Sequence, residues 1–340
     1  MADLDELLKS RGTVAELGAH VVAARFNRSG SHAAFALGDG SLRLFDGQGW
    51  GSVAVHDGAV LGLVPHPVTA GFCSGGDDGR LMAVTPEGQV SEIAKFGSKW
   101  VEHVVGFAGK TPLIAASAGK NLYLLSGSGE VLRTLVHPST VTGIAFDAKG
   151  KRVAAAHYGG ASLWFTGSNS DPRKLEWKGS HIGIALHPAG EALVTAMQEN
   201  ALHGWTLPEG KHMRMAGYPA KTEALAFTRS GRWLATAGAE SVVLWPFFGG
   251  GPMGKAPMEL GAGDGIVKRL VTHPEHEVVA AGFDTGLVII ADVQREQILP
   301  VCGPGRGAVT ALDWDAVGAR LLIGTESGFA AIVNFAAAEK

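Results

Sequence analysis

The chain has 340 residues, 46% hydrophobic and 18% charged, with a formal net charge of -3 and an isoelectric point near 6.5. That balance supplies no basic footprint for nucleic acid or for an anionic membrane surface. Residues 1–20 lack a basic start followed by an apolar stretch, and no run approaches the ~18 apolar residues of a membrane span, so a soluble, cytoplasmic protein is expected.

In chain order, residues 1–11 set Leu4, Leu7 and Leu8 among acids and are predicted as a short helical cap within an N-terminal extension of residues 1–12. Thr13–Leu17 reads as a strand. From about residue 21 onward the sequence repeats. Eight units align on Phe26, Pro65, Phe107, Phe146, Leu186, Phe227, Thr272 and Trp314, spaced between about 39 and 45 residues. Two residues upstream stand Ala24, Leu63, Val105, Ile144, Ile184, Leu225, Leu270 and Leu312, a column that predicts one shared packing role. Repetition of this kind builds one body, so residues 1–340 are expected to form a single domain.

Within the first unit, strands are predicted at Val21–Phe26, His32–Leu37, Ser41–Phe45 and Ser52–Val55, separated by a Ser-Gly turn and by the tight Gly38-Asp-Gly40 turn. Fourth strands such as Val131–Val136, Lys174–Trp177 and Lys211–Met215 alternate polar with apolar residues, as exposed edges do. First strands such as Val141–Phe146 carry almost no charge. Apolar inside and charged outside is the gradient of a radial stack of four-stranded sheets. The last unit has no fourth strand after Phe329–Phe335, and Thr13–Leu17 can supply it. The expected fold is therefore all-β: an eight-bladed β-propeller of four-stranded antiparallel blades, closed by an N-terminal strand, with seven blades as the alternative.

Cys73 and Cys302, the only cysteines, fall in units that are not neighbours and are expected to be free thiols.

Over nearly its whole length the chain resembles the WD40-repeat family, whose blades carry a His before the first strand, an Asp in the turn after the second, and Trp-Asp at the end of the third. Gly18-Ala-His20, His56, His137 and His181 occupy the first position. Asp39, Asp78 and Glu199 occupy the second, each six residues before Phe45-Asp46, Val84-Thr85 or Trp205-Thr206, while Trp164-Phe165 and Trp245-Pro246 keep only the aromatic. The resemblance implies a hydrogen-bonded network of His, Ser or Thr, Asp and Trp, which only His181, Thr195, Glu199 and Trp205 approach. It also makes seven the commonest blade number.

Two motif matches fail on chemistry or placement. Gly249–Lys255 opens like a phosphate-binding loop, but residue 256 is Ala where magnesium needs Ser or Thr, and Pro257 with Gly261 leaves no helix to face a phosphate. The His-Pro pairs at 66, 137, 187 and 273 suggest metal, yet His66, His187 and His273 fall in turns spread around the ring. No nucleophile signature or converging carboxylate pair is present. Candidates at the channel mouth are Trp100, Glu102, His103, His137, His181, Glu223, Lys268 and Arg306, a mixed set without an acid, base and nucleophile.

The expected function is a non-enzymatic protein-binding scaffold, monomeric, with no cofactor, metal, nucleic acid or membrane partner. Its binding rim is expected at Trp100, Glu102, His103, His137, Lys268 and Arg306, with the long loop carrying Phe247 and Phe248 as a secondary surface or folded back on its own blade. The alternatives are a small-molecule or metal-binding propeller, and an enzyme with its site at the channel mouth.

Overall fold

The computed structural model describes residues 3–336. Among these residues thirty strands form a ring of antiparallel sheets around a central channel, and one short helix, Glu6–Arg11, precedes them. Each sheet has its first strand innermost. In the first unit the strands are Val21–Phe26, Ala33–Leu37, Ser41–Phe45 and Trp50–Ala54, side by side in chain order. Ala33–Leu37 is buried along its whole length, because a second strand is covered by the neighbouring sheets on both faces.

The ring closes as expected. Gly12–Glu16 lies antiparallel to Phe329–Asn334, from Gly12 opposite Val333 to Glu16 opposite Phe329, and forms the outer strand of the last sheet. The helix before it buries Leu8 against the seventh and eighth units.

The expected count of eight separate blades is corrected to seven sheets, six of four strands and one of six. The six-stranded sheet holds the fourth and fifth units, joined through two 14-residue strands, Arg152–Phe165 and Arg173–Leu186. A straight strand of that length would span about 46 Å, yet the Thr166 amide donates to the Lys151 carbonyl at 3.0 Å, so the first ribbon folds back on itself. It does so at Tyr158–Gly160, where Gly159 and Gly160 have φ of 90° and 139°. The turn stays paired, Tyr158 opposite Ser180 and Gly160 opposite Glu176, and the second ribbon runs on from that pairing into His181 opposite Met197. The register shifts between Tyr158 and Gly160, but the pairing still joins both units in one sheet.

The aliphatic column divides between two duties. Ala24, Leu63, Ile144 and Leu312 are buried, Leu63 and Ile144 at the edge of the channel, whereas Val105, Ile184, Leu225 and Leu270 are half-buried on the channel wall. Contacts between units repeat at the turns after the first strands. The His187 ring donates from Nε2 to the Gly231 carbonyl at 3.0 Å, and the His273 ring to that of Gly318 at 3.1 Å. Asn27 donates to the Ala70 carbonyl at 2.8 Å, and Arg320 donates to that of Gly30 across the closure. In the same closing contact the Phe26 amide donates to Asp313, whose carboxyl burial pushes up to about 6 against the pull of Arg25.

Candidate binding rim and central channel

Antiparallel order puts the turns after second strands and the loops between units at one end of the ring. Trp100 stands there, 56% exposed, in the loop between Val90–Lys95 and Val101–Phe107. The loop beneath it is fixed. The Phe96 amide donates to the Gly79 carbonyl at 2.8 Å, and the Phe96 ring stacks on Tyr123 at 4.0 Å. Gly79 is required at that contact: its φ is +77°, and a Cβ would stand 2.2 Å from the Gly97 carbonyl oxygen.

Two further aromatics occupy this end. Tyr158, 59% exposed, caps the paired turn of the fourth unit, where its amide donates to Ser139 Oγ at 2.9 Å. Trp177, 37% exposed, ends the outer part of the same sheet and stacks on the His203 ring at 4.0 Å. Tyr158, Trp177, Val136 and Pro138 border a cleft of about 700 Å³. Sequence reasoning missed this cleft. The available signal was an aromatic in a His-Tyr-Gly-Gly turn, where the other units place Asp, Glu, Gln or Gly.

Glu102 and His103 are placed in the channel wall rather than on the rim, beside Glu223 and Arg25 in a space of about 430 Å³. Burial raises the Glu102 carboxyl above its ordinary value and pushes the His103 ring down to about 4, so near neutral pH the imidazole is uncharged. Lys268 is tied to Glu223 at 2.8 Å, and Arg269 holds the other carboxylate oxygen at 3.1 Å. Against the opposing effect of burial, these two cations hold Glu223 below its ordinary value. The wall brings carboxylates, an imidazole and cations to one space, and the Thr142 hydroxyl in the same wall donates to the Ala156 and His181 carbonyls.

Two expected rim residues are corrected to structural roles. His137 is buried and accepts a hydrogen bond from Trp164 Nε1 at 3.1 Å; burial, then the nearby His157, pushes it down to about 4. Arg306 grips both carboxylate oxygens of Asp5 at 3.2 and 2.9 Å and lies over the Phe329 ring, fixing the N-terminal helix to the ring. Phe247 folds back edge-on to Phe227 at 4.8 Å, and Phe248 lies under Arg232 and Lys255. Lys255 donates to the Phe248 and Gly249 carbonyls of its own loop, which is the opposite of a lysine held ready for phosphate.

The expected network in the fifth unit forms only in part. His181 Nδ1 pairs with Thr195 Oγ1 at 2.7 Å, but Glu199 is exposed and the buried Trp205 Nε1 has no partner among the described residues. A more complete set stands in the second unit. His56 Nδ1 donates to Asp78 at 2.9 Å, and its Nε2 pairs with Ser74 Oγ at 3.0 Å. The order Ser, His, Asp is that of an acyl-transfer triad, yet Ser74 is wholly buried and no substrate carbonyl could reach its hydroxyl. In the sixth unit Tyr218 replaces the His, bonding Thr236 and accepting from Trp245 Nε1, each at 2.6 Å. These sets satisfy polar groups inside the sheets.

The histidines of the turns are likewise consumed locally. His66 Nδ1 accepts the amides of Val68 and Thr69, and His273 Nδ1 those of Glu275 and His276, all at 3.1 Å.

No protein-family model matches the chain, and no curated protein does. Its fold is widespread among solved structures, with 1776 matching chains, so the fold by itself selects no function. One similar structure is the crystal structure of the computationally designed Ika8 protein, with a TM-score of 0.76 and 17% identity over 94% of this chain and 97% of that one.

Proposed function

We propose that the protein is a WD40-like propeller that serves as a non-enzymatic platform for protein binding, using the rim that carries Trp100, Tyr158 and Trp177. The observation that carries this reading is the exposure of large aromatic rings on backbone that is tied down. Such rings supply contact area at small entropic cost and dominate interface energetics. The family assignment draws support from His56, Ser74 and Asp78, which join as the family's blade network does. With most Trp-Asp pairs lost, the fourth, fifth and sixth units keep partial or altered versions of that network beside their apolar packing.

The test is quantitative affinity capture from the native cell, comparing wild type with Trp100→Ala/Tyr158→Ala. Both side chains are exposed, so the double variant should keep its melting temperature. At least one partner should drop about tenfold or more in recovery, the loss expected of an anchor residue. Equal recovery of every partner would move the interface off this rim.

A further inference from the structure

We propose that the cleft between the third and fourth units, at the end of the ring opposite the aromatic rim, docks an acidic peptide segment bearing an aromatic or aliphatic side chain. The cleft measures about 580 Å³. Phe107, Leu132 and Phe165 give it an apolar lining, and Lys110, Lys149 and Lys151 stand around it, all three exposed. None of the three lysines meets a carboxylate among the described residues. The acid nearest in sequence, Asp147, is already occupied by Arg152 at 2.9 Å and by the amides of its own turn.

The lining is preformed. The Phe107 ring lies against Gly150, where φ is +63° and a Cβ would stand 2.3 Å from the ring. Arg133 lies over Trp164 and donates to the Phe165 carbonyl at 2.9 Å and to that of Ser168, pinning the loop to the third unit. Phe165 and Leu132 nevertheless remain 55% and 47% exposed. Apolar side chains held open on fixed backbone leave area for a partner to cover.

Charge selects the occupant. On a chain of net charge -3, three unpaired lysines around one cleft form a local positive site. Lysine ammonium groups are point charges suited to scattered carboxylates, whereas phosphate recognition favours the arginine fork. The apolar lining calls for an apolar side chain between those carboxylates, which a nucleic-acid backbone lacks.

The probe is the fluorescein-labelled peptide Asp-Glu-Asp-Phe-Asp-Glu-Leu-Asp-Glu, titrated with the full chain and followed by fluorescence polarisation. Saturable binding is expected, weakened about tenfold by Lys149→Glu/Lys151→Glu and several-fold by Phe165→Ala, with Lys211→Glu as the charge control that leaves it unchanged. All these side chains are exposed, and equal melting temperatures verify folding. Absence of saturable binding, equal binding by the double charge reversal, or displacement by a single-stranded oligonucleotide as effective as by unlabelled peptide would each overturn the proposal. It does not rest on the rim reading, and because the probe is a defined peptide its failure leaves that reading untouched.

Discussion

The imidazole of His273 joins two units through both of its nitrogens: Nδ1 accepts the amides of its own turn, and Nε2 donates to the carbonyl of Gly318 in the next unit at 3.1 Å. The two contacts together fix the neutral tautomer, since one nitrogen must carry the proton and the other must not. Burial lowers the ring's pKa and favours that neutral form.

Replacing His273 with Ala removes the contact and strands buried turn amides, at a cost of about 1–3 kcal/mol. Gly318→Ala should cost more than Gly305→Ala. Both glycines have positive φ, but a Cβ on Gly318 would stand 1.9 Å from the His273 ring, while one on Gly305 meets open space. Denaturant unfolding of the three variants checks the order.

Acid should destabilise the ring before it titrates most carboxylates. His137 and His203 are buried, and burial pushes both down to about 4. Unfolded, they titrate near 6.5. Because the unfolded chain binds the extra protons, stability is complete above about pH 6.5 and falls as pH drops towards 4, by roughly 2–3 kcal/mol for each ring. Melting temperatures across that window should fall for wild type and fall less for His137→Gln.

Both thiols should be inert in the folded protein. Burial pushes Cys73 up to about 12 and Cys302 up to about 11, and the thiolate is the reactive form. Ellman's reagent at neutral pH should label neither residue until denaturant is added.

Asp5 holds the N-terminal helix through Arg306, and the residues after that helix close the ring. Asp5→Ala should speed amide exchange in residues 6–11 while leaving Gly12–Glu16 protected by its ladder to Phe329–Asn334. The pair is partly exposed, so the global cost should stay on the order of 1 kcal/mol.

Much of the fold was legible because a strand's partners in a blade are its neighbours in sequence. The closing strand could be read at residues 13–17 since the last unit lacked its fourth strand. The joined fourth and fifth units could not, because Gly159, Gly160 and Gly179 look like ordinary turn residues, while Tyr158 and Gly160 pair with Ser180 and Glu176 on another ribbon. The site was less legible. His137 sits in the sequence slot of a rim residue, but its ring turns inward to Trp164, 27 residues away. Trp100 keeps its expected exposure, while Tyr158 and Trp177 emerge only once the ribbons place them beside one cleft.

The rim reading is tested most directly by hydrogen-exchange mass spectrometry on the protein alone and bound to a captured partner. The account predicts slowed exchange in residues 97–101, 157–160 and 176–178, with the rest of the ring unchanged. Protection confined to the opposite end, or to the channel wall around Glu102 and Glu223, would contradict it.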